Sequence, residues 1–267
     1  RWTAGNLDRA DTLAVAAMLL EEEGGDVITT AASTFLRGFI AEARGDLVEA
    51  LRLLHCARSH YERASARSGA NAVLGHIGRV LFRLGKLGAA RDALTFALPA
   101  LNRTDGNHWG AAMAMTDFGL LLAHEGDLPG AAAMVAQALR VQQSIGDRLT
   151  TVISLAAAAA VLAAAERPSV VTLLAAVEAM REQCGASMWA VAARAHADAV
   201  SLAQPFVATS RPGRPGAPGH WQPGDVVVFA LAELTYVAEG RQPPEIGSGI
   251  PRLSPRELEV LRLIARG

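Results

Sequence analysis

Between residues 29 and 145 the apolar and small positions recur at helical spacing in six runs, separated by short polar breaks. The runs pair as 29–44 with 46–66, 69–84 with 86–102, and 108–125 with 127–145. Four small residues stand at the same offsets in each pair: Gly38, Gly45, Ala50 and Ala57, then Gly78, Gly85, Ala90 and Ala97, then Gly119, Gly126, Ala131 and Ala138. The step between copies is 40 and then 41 residues, so the match at every position marks an internal repeat even in an Ala-rich chain. Each copy predicts a helical hairpin. Gly45, Gly85 and Gly126 stand at the turns, where a residue without Cβ enters the left-handed region and satisfies the last carbonyls of the first helix. The other small residues let two helix backbones approach, and Leu54, Leu94 and Val135, four residues after the first Ala of each second helix, fill the seam. Breaks between hairpins are predicted at Ser68-Gly69, Asp105-Gly106-Asn107 and Gly146-Asp147.

The four offsets resemble those of the tetratricopeptide repeat, which implies an all-α, tetratricopeptide-like helical-hairpin solenoid over residues 1–204. The period of 40 to 41 exceeds the family's usual length of about 34 residues, which implies longer second helices or longer links. Thr34, Leu74 and Met115 stand where the family carries an aromatic. A partial copy, Gly5-Asn6 leading to Ala10 and Ala17, occupies residues 1–25 and reads as the second helix of a repeat whose first is missing. After Gly146 the signature decays into a degenerate repeat over 148–204, with helices predicted at 148–165, 168–183 and 186–204 and Pro168 in a first helical turn. Residues 205–224 hold five of the twelve prolines, so 205–252 reads as a Pro/Gly-rich linker around one short helix, 225–238.

Composition narrows the picture. Apolar residues make up 51% and aromatics 5%, so the core must be built from Ala, Leu and Val. Net charge is −1 with no block of like sign, which gives bulk electrostatics no role in binding nucleic acid or membrane. Lys86 is the sole lysine among 25 basic residues, as a GC-rich genome would produce. The two cysteines, Cys56 and Cys184, have no paired spacing, which points to a reducing, cytoplasmic setting. The uncharged run 149–165 approaches membrane-spanning length but is mostly alanine, which contributes little transfer free energy, so no membrane partner is expected. The chain opens at Arg1, within a repeat, as a fragment of a longer protein would.

The last fifteen residues, LSPRELEVLRLIARG, form a well-specified helix start. Ser254 is the N-cap, Pro255 the first helical residue, Glu257 completes a capping box, and Leu253 with Leu258 has the spacing of a hydrophobic staple. Leu253, Ser254, Arg256, Glu257, Glu259, Val260, Leu261 and Gly267 resemble the opening of the LuxR-type helix-turn-helix domain, over about a quarter of that domain. The segment 173–185, LLAAVEAMREQCG, with the helix and Trp-containing connector after it, looks like the end of the repeat region in large ATP-binding LuxR-type regulators of bacteria. The resemblance implies a nucleotide-binding module first, a helical-repeat sensor next and a DNA reader last. No G-x-x-x-x-G-K-[ST] string occurs here, so ATP would belong to an upstream module and this chain carries no cofactor of its own. The helix begun at Pro255 is then structural, and DNA is read by a helix past residue 267, so this chain alone is expected not to bind DNA. Arg252, Arg256, Arg262 and Arg266 are phosphate contacts or ordinary solvated positions.

Among other candidates, His55, Cys56 and His60 have metal-like chemistry, but only Cys56 and His60 share a helix face, which is too few ligands for structural zinc. No Ser/His/Asp or Cys/His set assembles from spacing, so no catalytic residue is assigned and an enzyme reading needs an upstream domain. By analogy with the repeat family, a groove for a small-molecule inducer or protein partner is lined by Phe35, Phe39, Glu42, Arg79, Phe82, Arg83, Met113, Thr116, Leu120 and His124. Phe39 and Phe82 have the alternative of packing on the next hairpin. The resemblance as a whole implies the sensor portion of a LuxR-type transcriptional regulator, with DNA and a second copy as partners of the intact protein. The alternative is a free-standing repeat scaffold that binds proteins, its tail a coincidental helix.

Overall fold

A computed structural model describes residues 7–24, 27–103, 107–184, 190–209 and 221–241. The fold is all-α. Eleven helices occupy the described residues: α1 Leu7–Gly24, α2 Val27–Ala43, α3 Leu47–Arg63, α4 Arg67–Arg83, α5 Leu87–Arg103, α6 His108–His124, α7 Leu128–Ile145, α8 Arg148–Ala164, α9 Val170–Cys184, α10 Ala190–Thr209 and α11 Pro223–Ala238. They form two compact units, residues 1–118 and 119–267, and the division falls within α6.

In the first unit α1, α2, α3, α4 and α5 pack each on the next, as stacked hairpins do. The turns have the expected chemistry. Gly45 and Gly85 sit at φ +87° and +73°, each amide returning to the carbonyl three residues back and the following amide to the carbonyl five back. Asp46 then restarts the chain as an N-cap, its carboxylate accepting from the Glu49 amide at 3.1 Å. The small positions serve the close approach. A Cβ on Gly38 would stand 3.1 Å from Leu54, and one on Gly78 2.7 Å from Leu94, so the second helix's leucine occupies the space the glycine leaves. Ala50, Ala57, Ala90 and Ala97 are fully buried in the same seams.

One break falls elsewhere than expected. Ser68 and Gly69 lie inside α4, and the turn is made by Ala64, Ser65 and Ala66, with Ser65 at φ +56°. Gly69 is needed for space instead: a Cβ there would meet the Tyr61 ring at 2.6 Å.

In the second unit Gly119 opposes Val135 at 2.6 Å for an added Cβ, repeating the seam, and Gly126 turns the chain at φ +87°. Asp127 and Asp147 cap α7 and α8. The apolar run 149–165 is the buried centre of this unit: α8 packs on α7, α9, α10 and α11. α9 starts two residues after Pro168, which lies in the preceding turn. α10 extends to Thr209 and carries Pro205 in its interior, beyond the limit of 204 expected from the proline cluster. A proline removes one amide donor near the end of a helix that α8 and α9 hold by packing, and the packing prevails. α11 packs on α7, α8 and α9. The tail beginning at Leu253 lies outside the described residues.

Candidate functional site

The first unit buries three charges and half-buries a fourth on the first helices of its hairpins. Glu42 comes from the last turn of α2, Arg79 and Arg83 from α4, and Asp117 from α6. Arg79, only 1% exposed, forms a fork on Glu42, with Nε donating to Oε1 at 2.9 Å and Nη2 to Oε2 at 2.6 Å. Its remaining nitrogen, Nη1, lies 3.6 Å from Asp117 Oδ2 and makes no hydrogen bond. Arg83 Nη1 adds donations to the Glu42 carbonyl at 3.2 Å and to Oε1 at 3.1 Å, and its side chain stays 16% exposed. One arginine thus ties α2 to α4 tightly and α4 to α6 loosely.

Aromatic rings border the charges. The Arg79 guanidinium lies 5.1 Å from the Phe39 ring centre, a cation–π contact in a dry setting. His76, one helical turn before Arg79, is buried between Phe35 at 4.8 Å, Phe39 at 5.3 Å and Trp109 at 6.0 Å, and its Nδ1 has no hydrogen-bond partner. Phe35 and Trp109 are half-buried, so this row and the outer edge of Arg83 meet solvent.

The electrostatics follow from burial. Loss of water pushes the Asp117 carboxyl up to about 7; Arg79 pulls it down, and the Glu42 charge pushes it further up. Burial, and then the charge of Arg79, holds the His76 imidazole well below its ordinary range and therefore neutral. For Arg79, burial alone would weaken the cation, but Glu42 and Asp117 outweigh it and the guanidinium stays charged.

No family model matches this chain, and neither does any curated protein.

The expected groove residues divide. Phe39, Glu42, Arg79, Met113 and Thr116 are buried, so they fill the face rather than line an open channel; Phe35, Phe82, Arg83 and Leu120 are half-buried and His124 is exposed. Phe35, Phe39, Glu42, Arg79 and Arg83 come together in the first unit, whereas Leu120 and His124 belong to the second. Sequence reasoning missed His76, Trp109 and Asp117. The signal for Asp117 was present, since it is the single acid in the apolar run AAMAMTDFGLLLA over 111–123. A charge there is too costly to bury without a cation nearby.

Cys56 Sγ lies 3.4 Å from His60 Nε2 on an exposed face, and Arg63 Nη2 approaches the other ring nitrogen, His60 Nδ1, at 2.5 Å. Among the described residues no group of three or more His, Cys, Asp or Glu is placed to hold a metal ion, and no helix is long and apolar enough to cross a membrane. Leu253, Ser254, Arg256, Glu257, Val260, Leu261 and Gly267, expected to open a helix-turn-helix domain, lie outside the described residues.

Proposed function

We propose that this chain is the repeat-containing sensor and interaction portion of a cytoplasmic LuxR-type transcriptional regulator, whose DNA-reading helix follows residue 267. The observation that carries the reading is the string from Leu253 to Gly267, which combines N-cap, capping box, staple and the family's charged and apolar positions directly after a Pro/Gly spacer. An all-α array of hairpins upstream of that string supports it, because such an array presents repeated helix faces to inducers or protein partners.

The half-buried edge of the charged cluster in the first unit suggests how a signal acts. An inducer or partner engages the half-buried edges of Phe35, Trp109 and Arg83 and reaches the buried charges only by shifting α6 against α4. It changes the regulator's state to the extent that it binds one hairpin packing more tightly than the other.

The test is an electrophoretic mobility shift on DNA flanking the protein's own gene. It compares this chain with the product of the gene read about fifty residues past Gly267, enough to complete a second and third helix. Binding by the longer protein alone is the expected result. Failure of a correctly folded longer protein to bind overturns the reading and leaves the repeat scaffold.

A further inference from the structure

Helix α11 carries a charge in the middle of its buried stripe. Val226, Val227, Ala230, Leu234 and Val237 recur at helical spacing and are buried, and Glu233 is buried among them. A helix docked by hydrophobic contact alone would have an aliphatic residue there. A carboxylate makes docking conditional on partners, because an unpaired buried charge costs more than the neighbouring contacts return.

The partners come from the turn between α8 and α9. Ser169 Oγ donates to Glu233 Oε2, and Arg167 Nη2 stands 4.0 Å from the same oxygen. Arg167 Nη1 donates at 3.3 Å to the carbonyl of Arg241, just past the end of α11. The grip is incomplete, for Arg167 is buried while its Nε and Nη2 lack hydrogen-bond partners. The residue before it, Glu166, is held at φ +54°, a left-handed conformation unfavourable for a side chain with Cβ. Strain and unmet donors therefore gather at the point where α11 is fastened.

α11 also brings its own ends. The Gln222 amide donates to Asp225 Oδ2 at 2.9 Å, Pro223 occupies the first helical position, and Gly240 at φ +62° closes the last turn. These caps belong to α11 and its flanks, so they do not depend on docking.

We propose that α11 is a latched strap: it docks on α7, α8 and α9 and leaves them as one unit, with Glu233, Ser169 and Arg167 as its catch. The strap stands without any assignment of function. Its use as the step that frees a DNA reader downstream rests on the LuxR-type reading.

Hydrogen exchange by mass spectrometry on the whole chain tests it. Glu233→Gln weakens the catch and is expected to speed exchange across residues 226–237 roughly tenfold while α8 exchanges as before. The double substitution Arg167→Met with Glu233→Leu replaces the catch by apolar contact and is expected to slow exchange there by a similar factor. Acceleration of α8 and α11 together in Glu233→Gln, or no change in α11, overturns the strap. Should Glu233→Gln fail to fold, Ser169→Ala removes one donor and is held to the same two outcomes. Exchange confined to α11 in a protein whose extended form ignores DNA would keep the strap and remove the regulator.

Discussion

Asp117→Asn should remove a dependence of stability on pH that the wild-type first unit shows. Asp117 is 2% exposed, and burial, moderated by Arg79 and reinforced by Glu42, raises its carboxyl from 3.8 to about 7. The native state therefore holds the proton more tightly than the unfolded chain. Its contribution to stability is complete below pH 3.8 and is lost as pH rises through about 7. At about 1.4 kcal/mol per pKa unit, the change between pH 5 and 8 is on the order of 3 kcal/mol. Asparagine has the same shape and no charge to desolvate, so the variant should gain that amount on the wild type between the two pH values. With a urea slope of about 2 kcal/mol/M, the midpoint difference grows by about 1.5 M. The assay is urea unfolding at pH 5, 6, 7 and 8, followed by the fluorescence of Trp109, 6.0 Å from His76, with the other tryptophans replaced. His76 titrates in the opposite sense: its lowered pKa gives stability present above 6.5 and lost as pH falls, and it cancels in the difference between variant and wild type. A midpoint difference that is the same at pH 5 and pH 8 would refute the assignment of Asp117 as a costly buried acid.

Glu42→Ala leaves Arg79 buried without its fork and is expected to destabilise the first unit by about 3–5 kcal/mol, read from urea midpoints, whereas a loss under about 1 kcal/mol would show that Asp117 substitutes for Glu42. His76→Phe removes a buried nitrogen with no partner and should make the unit more resistant to acid, its unfolding midpoint at pH 5 rising relative to pH 7; an unchanged acid limb would place the titrating group elsewhere. Gly78→Ala sets a Cβ 2.7 Å from Leu94 and should cost about 1–3 kcal/mol, while Gly88→Ala, on α5 with open space around it, should gain about 0.5–1 kcal/mol in the same thermal unfolding assay. Equal effects at the two positions would mean that helix propensity, and not the seam, governs the glycine offsets.

The hairpins were legible because backbone chemistry marks them locally. Gly45, Gly85 and Gly126 each end a helix in the conformation that only glycine adopts freely, and the predicted ends of those helices fall within two residues of the observed ones. The turn at Ser65 was not legible, since a non-glycine residue held in the left-handed region leaves no compositional trace. Pro205 misled for the converse reason, because packing on α8 and α9 outweighed a local breaker. At the site, Glu42, Arg79 and Arg83 were found through the repeat register, but the burial of Glu42 and Arg79 was not, because register gives the face of a helix and not what lies over it. The docking of α11 on α7 had no signature beyond one misplaced glutamate, since a long-range return of the chain is not written into helical periodicity.

The charges in the first unit are shared unevenly along the array: one acid on α2, two arginines on α4, one acid on α6. Repeat proteins commonly grow and shrink by duplication or loss of a unit, which requires neighbouring units to be interchangeable. Here they are not. Excising α4 and α5 would leave Glu42 and Asp117 as two anions with no counter-ion, and copying them would add two spare cations, one of them fully buried. The number and order of these hairpins are therefore protected against recombination by charge balance, although the glycine and alanine seam inside each hairpin recurs in every copy.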